Sequence, residues 1–179
     1  MPMPTLLLIC GALRQGSFNR KLLVAAGQHW LGETVMADLD MPLYDGDVEE
    51  AKGIPEAATR IKRQIAAADA VAISTPEYNQ SISGVLKNAL DWVSRGEGNP
   101  WRDKPVAIMS ATAGRAGGAR AQYALRLALN TFQPRLLTGP EVMVAHAQKE
   151  FDQEGRLVSE SYQKALGALV GKLASEAVR

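Results

Sequence analysis

Three short apolar runs stand out along the chain, at residues 6–10, 70–74 and 105–109, and none of them alternates with polar positions. A continuous apolar run of this length is typical of a parallel strand that is covered on both faces. Residues 33–39 and 135–144 have mixed polarity, which suits strands nearer the edges of a sheet. The pattern therefore predicts five strands.

Helical periodicity fills the intervals between these strands. The clearest apolar stripe runs from Ile82 to Val93 and leaves Lys87 and Asp91 on the opposite face. Similar stripes predict helices near residues 54–68, 121–132 and 162–173, and a first helix over residues 19–31. Residues 40–53 and 96–104 are interpreted as surface loops. Regular alternation of strand and helix predicts one α/β domain over residues 1–179, a doubly wound five-stranded parallel sheet in the order 2-1-3-4-5.

Composition limits the partners that the protein can be expected to have. The chain has 179 residues, is 46% hydrophobic, and balances 20 Lys and Arg against 19 Asp and Glu. This balance gives no strong field for nucleic acid or a membrane surface, so neither is expected as a partner. Cys10 is the lone cysteine and no export signal is recognisable, so we expect a cytoplasmic protein. His29 and His146 lack neighbours at metal-ligand spacing, and no metal site is expected.

The loop after the first strand, residues 11–20, has the chemistry of a phosphate site. Arg14 can pair with a dianion, Ser17 and Asn19 can add side-chain donors, and the following helix start offers free N–H groups. The same residues also fit a simple capped turn, in which Gly16 permits the turn and Ser17 or Asn19 caps the helix. The spacing matches neither a P-loop nor a dinucleotide-binding turn. On this loop alone, both interpretations stay open.

The loop after the third strand carries a more specific pattern. It contains Pro-Glu-Tyr-Asn at residues 76–79, followed by Ser-Gly-x-Leu-Lys-Asn-Ala-x-Asp-Trp at residues 83–92. By itself the first part also fits a turn that starts the next helix. Together with Gly-x-Leu-Arg at residues 11–14 and Ser-Phe-Asn at residues 17–19, the pattern resembles the NADPH-dependent FMN reductase family. The similarity is closest to the quinone- and chromate-reducing branch and continues through residues 110–120.

The resemblance implies a flavodoxin-like fold with FMN as cofactor and NADPH or NADH as hydride donor. No catalytic side chain is expected, because the chemistry takes place at N5 of the flavin, with Tyr78 and Asn79 forming its environment. The resemblance assigns the first loop to the FMN phosphate and the other two loops to the flavin ring. The expected cofactor-binding residues are Arg14, Ser17, Phe18, Asn19, Pro76, Glu77, Tyr78, Asn79, Ser110 and Gly114.

The implied activity is two-electron, ping-pong reduction of a quinone or a similar small oxidant. A flavin, azo, nitro or chromate reductase on the same site is an alternative, and an FMN-binding electron carrier or sensor is a further one. The resemblance also implies a homodimer or homotetramer, joined through Arg120, Tyr123 and Glu141. Alternatively, Arg120 and Glu141 are solvated charges that contribute little.

Overall fold

The computed structural model describes residues 3–178, and a parallel sheet forms its centre. Residues 1, 2 and 179, at the ends of the expected domain, lie outside the described residues. The sheet order is β2-β1-β3-β4-β5, which confirms the predicted order, and β6 also pairs with β4. Every pairing is parallel. The strands are β1 (Thr5–Cys10), β2 (Glu33–Met36), β3 (Ala70–Ser74), β4 (Pro105–Ala111), β5 (Arg135–Leu136) and β6 (Val142–Val144).

The predicted fifth strand, residues 135–144, is in fact two short strands. β5 pairs with the start of β4, at Pro105 and Val106, whereas β6 pairs with its end, from Met109 to Ala111. The residues between them include Pro140, which has no N–H to donate to the ladder. The prediction of five strands is therefore wrong by one. The predicted second strand is also shorter than expected and ends at Met36.

Seven helices occur within residues 3–178, and five of them match the predicted stripes. The first helix ends at Gly27, earlier than predicted. A helix within residues 40–53 was not predicted, because none of its residues is buried and it therefore has no apolar stripe. None of the seven is both long and apolar enough to span a membrane. The helices are α1 (Phe18–Gly27), α2 (Gly46–Lys52), α3 (Glu56–Ala67), α4 (Gly84–Val93), α5 (Ala119–Asn130), α6 (Ala147–Glu150) and α7 (Glu160–Ala177).

The core lies on both faces of the sheet. Leu6 and Leu8 of β1 point to the face covered by α1 and α7, whereas Leu7 and Ile9 point to the face covered by α3, α4 and α5. Successive residues of a strand face opposite ways, so a strand with both faces covered is apolar at every position. This packing fixes the carboxyl ends of β1, β3 and β4 relative to one another, and the loops that follow those ends form the site.

Candidate functional site

The loops that follow β1 and β3 are in direct contact. The backbone N–H of Gly11 donates to the carbonyl of Ser74 at 2.8 Å, and the Ser83 hydroxyl donates to the carbonyl of Gly11 at 2.6 Å. A Cβ atom at Gly11 would lie only 3.0 Å from Oγ1 of Thr75. Glycine at this position therefore permits the two loops to approach closely.

Asn19 joins the first turn of α1 to the ends of β3 and β4. Its Oδ1 accepts from the Ser74 hydroxyl at 2.8 Å and from the backbone N–H of Ala111 at 2.9 Å. Its Nδ2 donates to the carbonyl of Ala111 at 2.9 Å. The side chain is buried, and these three bonds use all but one of the hydrogen-bonding groups of the amide. Asn19 thus has a structural role and keeps a single N–H for a ligand.

The loop between β1 and α1 combines a helix cap with free donors. Ser17 is buried in an extended conformation, and its Oγ accepts from the backbone N–H of Asn19 at 3.2 Å. The backbone N–H groups of Gln15, Gly16 and Phe18 donate to no residue that the structure describes. The Arg14 guanidinium is exposed and likewise pairs with no described residue. The capped turn expected as one interpretation is therefore present, and it leaves the donors that a phosphate dianion requires.

The three loops enclose a cavity of about 350 Å³ at the carboxyl edge of the sheet. Four further residues of its lining were not predicted, namely Ala12, Ala111, Thr112 and Ala113. Their small side chains give no chemical signal in a sequence, and only their position after a strand could have indicated them. Eight of the ten predicted residues line the cavity: Arg14, Ser17, Phe18, Asn19, Pro76, Glu77, Tyr78 and Gly114.

Asn79 and Ser110 are the two predicted residues that the structure does not bring to the lining. Asn79 and Gln80 have φ of 49° and 65°, and they form a tight turn in which Tyr78 and Ser81 exchange backbone hydrogen bonds of 3.0–3.1 Å. Positive φ at both central positions is characteristic of a type I′ turn, which asparagine favours. The Tyr78 side chain itself is 54% exposed at the rim of the cavity.

Ser110 is wholly buried behind the loop that follows β4. Its hydroxyl donates to the carbonyl of Gly117 at 2.6 Å and accepts from Nε2 of Gln122 at 2.8 Å. Both hydrogen-bonding functions of the hydroxyl are therefore used within the protein. Ser110 supports the base of the loop from below, and it does not face the cavity.

Glu77 connects the loop after β3 to the start of α5. Its side chain is 14% exposed, and Oε2 accepts from the backbone N–H groups of Arg120 and Ala121 at 3.0 and 3.4 Å. Oε1 lies 3.4 Å from Nη1 of Arg120. Gly118, the N-cap residue of α5, has no side chain to cap the helix. Glu77 provides that cap from a distant part of the sequence and places a negative charge at the positive end of the helix dipole.

Three residues were expected at a subunit interface. Within the described chain, Arg120 pairs with Glu77, as above. Tyr123 lies one turn later on α5 and is 61% exposed, and Glu141 is exposed between β5 and β6. These surroundings leave both Tyr123 and Glu141 accessible to another molecule.

Cys10 lies at the end of β1, directly behind the loop between β1 and α1. Burial raises the pKa of its thiol, and this effect outweighs the opposing hydrogen bonds from the Ala12 backbone and the Ser17 side chain. Sγ is 4.0 Å from Oγ of Ser17. A buried, neutral thiol packs as a small apolar group, so Cys10 contributes to the shape of the loop rather than to its chemistry.

The sheet order and the cavity at its carboxyl edge define a flavodoxin-like protein. A flavodoxin from an archaeon superposes with a TM-score of 0.62 at 9% identity, over 98% of this chain and 99% of that one, which reflects the fold alone. The model of the NADPH-dependent FMN reductase family matches residues 4–149. The chain belongs to this family.

Individual relatives are similar over nearly their full length. The chain is 47% identical over 161 residues to an NAD(P)H-dependent FMN reductase of Pseudomonas aeruginosa, covering 88% of this chain and 86% of the relative. It is 39% identical over 170 residues to a quinone reductase of Escherichia coli, covering 92% and 89%. The NAD(P)H:(acceptor) oxidoreductase FerB of Paracoccus denitrificans superposes with a TM-score of 0.87 at 31% identity, covering 98% of this chain and 97% of FerB.

Proposed function

We propose that this protein is an FMN-dependent NAD(P)H oxidoreductase that reduces quinones or similar small oxidants. The observation that carries the proposal is the cavity where three loops meet, with a guanidinium and several N–H groups at one end that bond to none of the described residues. These donors suit a terminal phosphate, and the small or apolar residues Pro76, Ala111 and Ala113 in the walls beyond them leave room for a flat ring. Relatives that are named FMN reductase and quinone reductase support the same activity.

The residues of the chain divide the binding of FMN among the three loops. Arg14, the N–H groups of residues 15, 16 and 18, and the remaining N–H of Asn19 would hold the phosphate. Pro76 and Tyr78 would line one side of the ring. The N–H groups of Ala113 and Gly114, which donate to no described residue, would face its polar edge. When bound, FMN supplies the redox chemistry, accepting hydride at N5 and passing two electrons to the oxidant.

One open face of the bound flavin would have to serve both substrates, and this favours a ping-pong mechanism. The nicotinamide would have to leave this face before the oxidant can reach it. The chain needs no titrating side chain for this exchange, and Tyr78 at the rim is the residue that both substrates would pass. We therefore expect Tyr78 to influence the choice of oxidant more than the affinity for FMN.

Activity of the purified holoprotein tests the proposal. The visible spectrum should be that of FMN, and oxidation of NADPH or NADH should accelerate when a quinone is added. Double-reciprocal plots of rate against NAD(P)H concentration at several quinone concentrations should be parallel. Intersecting plots would count against the use of one flavin face by both substrates in turn. A panel of free flavin, azo, nitro and chromate acceptors distinguishes the alternative reductases. Bound FMN without any NAD(P)H oxidation would favour the electron carrier.

We also propose that the working unit is a cytoplasmic homodimer or homotetramer. The resemblance to the quinone-reducing branch supports contacts through Arg120, Tyr123 and Glu141, of which Tyr123 is well exposed. A cytoplasmic location would give the enzyme access to the cellular NAD(P)H pool. Cell fractionation followed by immunodetection tests the location.

A further inference from the structure

A second cavity of about 540 Å³ adjoins the first one. The two share Glu77, Thr112 and Gly114, and the second cavity extends from them to Arg115, Ala116 and Arg120. Because the shared residues belong to both linings, the two cavities are neighbours at the loop after β4. The binding of FMN proposed above uses only the first cavity.

The second cavity is positively charged. Arg115 is exposed and makes no hydrogen bond or ion pair with any residue in the part of the chain that the structure describes. Arg120 is 58% exposed and is paired with Glu77, so its charge is partly balanced. The lining therefore contains two guanidinium groups and one carboxylate, and within residues 3–178 Arg115 is the group without a counter-charge. A guanidinium matches the oxygens of a phosphate in both charge and geometry.

The backbone beneath Arg115 is firmly held. Gly117 and Gly118 have φ of +59° and +91°, and a Cβ atom at these positions would lie 2.5 Å from the Met143 carbonyl oxygen and 2.7 Å from Cβ of Ser110. The Ser110 hydroxyl bonds to the carbonyl of Gly117 from below. The base of the loop is thus packed against β4 and β6, while residues 113–116 are exposed above it. This arrangement holds the backbone of Arg115 at the second cavity, next to Gly114, which lines both cavities.

We infer that the second cavity binds a phosphate group of the nicotinamide dinucleotide, with Arg115 as its main ligand. This inference rests on the proposed function, in which the dinucleotide is the substrate that carries phosphate and a quinone carries none. Two sources of that phosphate exist. The pyrophosphate is common to NADH and NADPH, whereas the 2′-phosphate belongs to NADPH alone, so the choice between them decides whether Arg115 sets the preference between the two donors.

The test compares Arg115→Ala, Arg115→Lys and the wild-type holoenzyme. The control is Arg102→Ala, which removes an exposed arginine from the loop before β4, at the opposite edge of the sheet. The Kd values for NADPH and NADH are measured from the concentration dependence of the reductive half-reaction, and that for NADP⁺ by calorimetry. Removing charge-assisted hydrogen bonds at this exposed site should weaken NADPH binding about tenfold. Arg115→Lys should recover part of the loss, and Arg102→Ala should have no effect.

The outcomes distinguish the pyrophosphate from the 2′-phosphate, and they distinguish failure of this inference from failure of the proposed function. Weaker binding of both donors identifies the pyrophosphate, and weaker binding of NADPH alone identifies the 2′-phosphate. Unchanged Kd values for both donors, or a loss confined to NADH, would overturn the inference. FMN content and the KM for the quinone should stay unchanged in Arg115→Ala. A wild-type protein that oxidises neither dinucleotide would refute the proposed function itself. This result differs from unchanged Kd values in Arg115→Ala, which would refute only the role of Arg115.

Discussion

Asn19 and Arg14 lie next to the same cavity but differ in how many of their hydrogen-bonding groups are left free by the rest of the protein. The amide of Asn19 makes three hydrogen bonds to Ser74 and Ala111, so it holds the loop against two strands. The guanidinium of Arg14 makes none among the described residues and lines the cavity. From residue type alone, Asn19 and Arg14 were equal candidates for binding the phosphate. Their contacts in the structure distinguish them, and we expect Arg14 to contribute more to phosphate binding than Asn19.

Replacing Arg14 by Ala should lower the affinity for FMN about ten- to a hundredfold. The physical reason is the loss of charge-assisted hydrogen bonds to a dianion, worth about 1.5–3 kcal/mol. Titration of the apoprotein with FMN, followed by flavin fluorescence, measures the change. Arg102→Ala removes the same charge far from the cavity and should bind FMN like the wild type. If Arg14→Ala and the wild type have the same Kd, Arg14 is not a phosphate ligand.

At the scale of elements, the loop between β4 and α5 depends on Gly118. The residue has a φ of +91°, and a Cβ atom there would approach Cβ of Ser110 to 2.7 Å. Gly118→Ala should therefore lower the free energy of unfolding by about 1–3 kcal/mol. Urea denaturation measures this loss. We also expect weaker FMN binding, because the shifted loop carries Gly114 at the cavity.

Gly84→Ala is the matched control for this loop. Gly84 is the first residue of α4, and a Cβ atom there would meet nothing within 4 Å. Alanine in a helical conformation reduces the entropy of the unfolded chain, so this variant should be as stable as the wild type or more stable by a few tenths of a kcal/mol. Equal unfolding free energies for both glycine variants would show that the backbone at Gly118 is not under steric constraint.

The turn at residues 152–156 gives a prediction about pH. The Asp152 carboxylate accepts from the backbone N–H of Arg156 at 2.8 Å and from its Nε at 2.7 Å. The backbone hydrogen bond is the main cause that holds the pKa of Asp152 below its ordinary value of 3.8, and the Arg156 guanidinium lowers it further. A depressed carboxyl pKa stabilises the fold above about pH 4, and this stabilisation is lost as the pH falls through the folded-state pKa.

Asp152→Asn should accordingly be less stable than the wild type at neutral pH, with the difference shrinking in acid. Asn keeps one oxygen that can accept from the Arg156 backbone N–H, and it removes the charge together with the second oxygen, which accepts from Nε of Arg156. Urea unfolding of both proteins at about pH 7, 5 and 3 measures the difference. Glu97→Gln, in an exposed loop on another part of the chain, is the control. A difference that is constant across this range would contradict the assignment.

The elements that the sequence predicted best are those buried on one or both faces. β3 was predicted at its observed bounds, because each of its residues is buried and therefore apolar. The exposed helix α2 escaped prediction for the opposite reason, since it has no apolar stripe and its signals lie only at its ends, such as Asp45, whose side chain accepts from the N–H of Asp47 at 2.9 Å. The split between β5 and β6 was missed because residues 135–144 were interpreted as one strand of mixed polarity, although Thr138, Gly139, Pro140 and Glu141 interrupt the apolar positions and Gly-Pro is a turn signal.

At the scale of the whole molecule, topology accounts for most of the site. Once the sheet order was predicted, the loops after β1, β3 and β4 had to meet at one edge, and eight predicted residues do line one cavity. Topology does not determine in which direction a side chain points. Ser110, near the end of β4, was expected at the cavity from the family resemblance, but its hydroxyl bonds to the carbonyl of Gly117 beneath the loop. The contact between Glu77 and α5 joins residues 43 positions apart, so no local pattern could indicate it.

An exposed stripe on α5 bears on the assembly of the molecule. Tyr123 is 61% exposed and Leu127 is 78% exposed, and both follow Arg120 along one face of the helix. Apolar side chains next to a charge are typical of a surface that another subunit covers. This stripe favours the proposed dimer or tetramer, in which Arg120 would reach Glu141 of a second copy.

Light scattering of the purified protein should therefore give the mass of a dimer or tetramer. Arg120→Ala and Glu141→Ala should each raise the dissociation constant of the assembly about tenfold or more, because each leaves an opposite charge unpaired in the interface. Arg120→Ala keeps the backbone N–H that bonds to Glu77, so α5 should remain capped and the subunit folded. A monomer with full activity would contradict the assembly. An oligomer that neither substitution weakens would contradict only the choice of residues, because the stripe of Tyr123 and Leu127 could then form the interface without the ion pair.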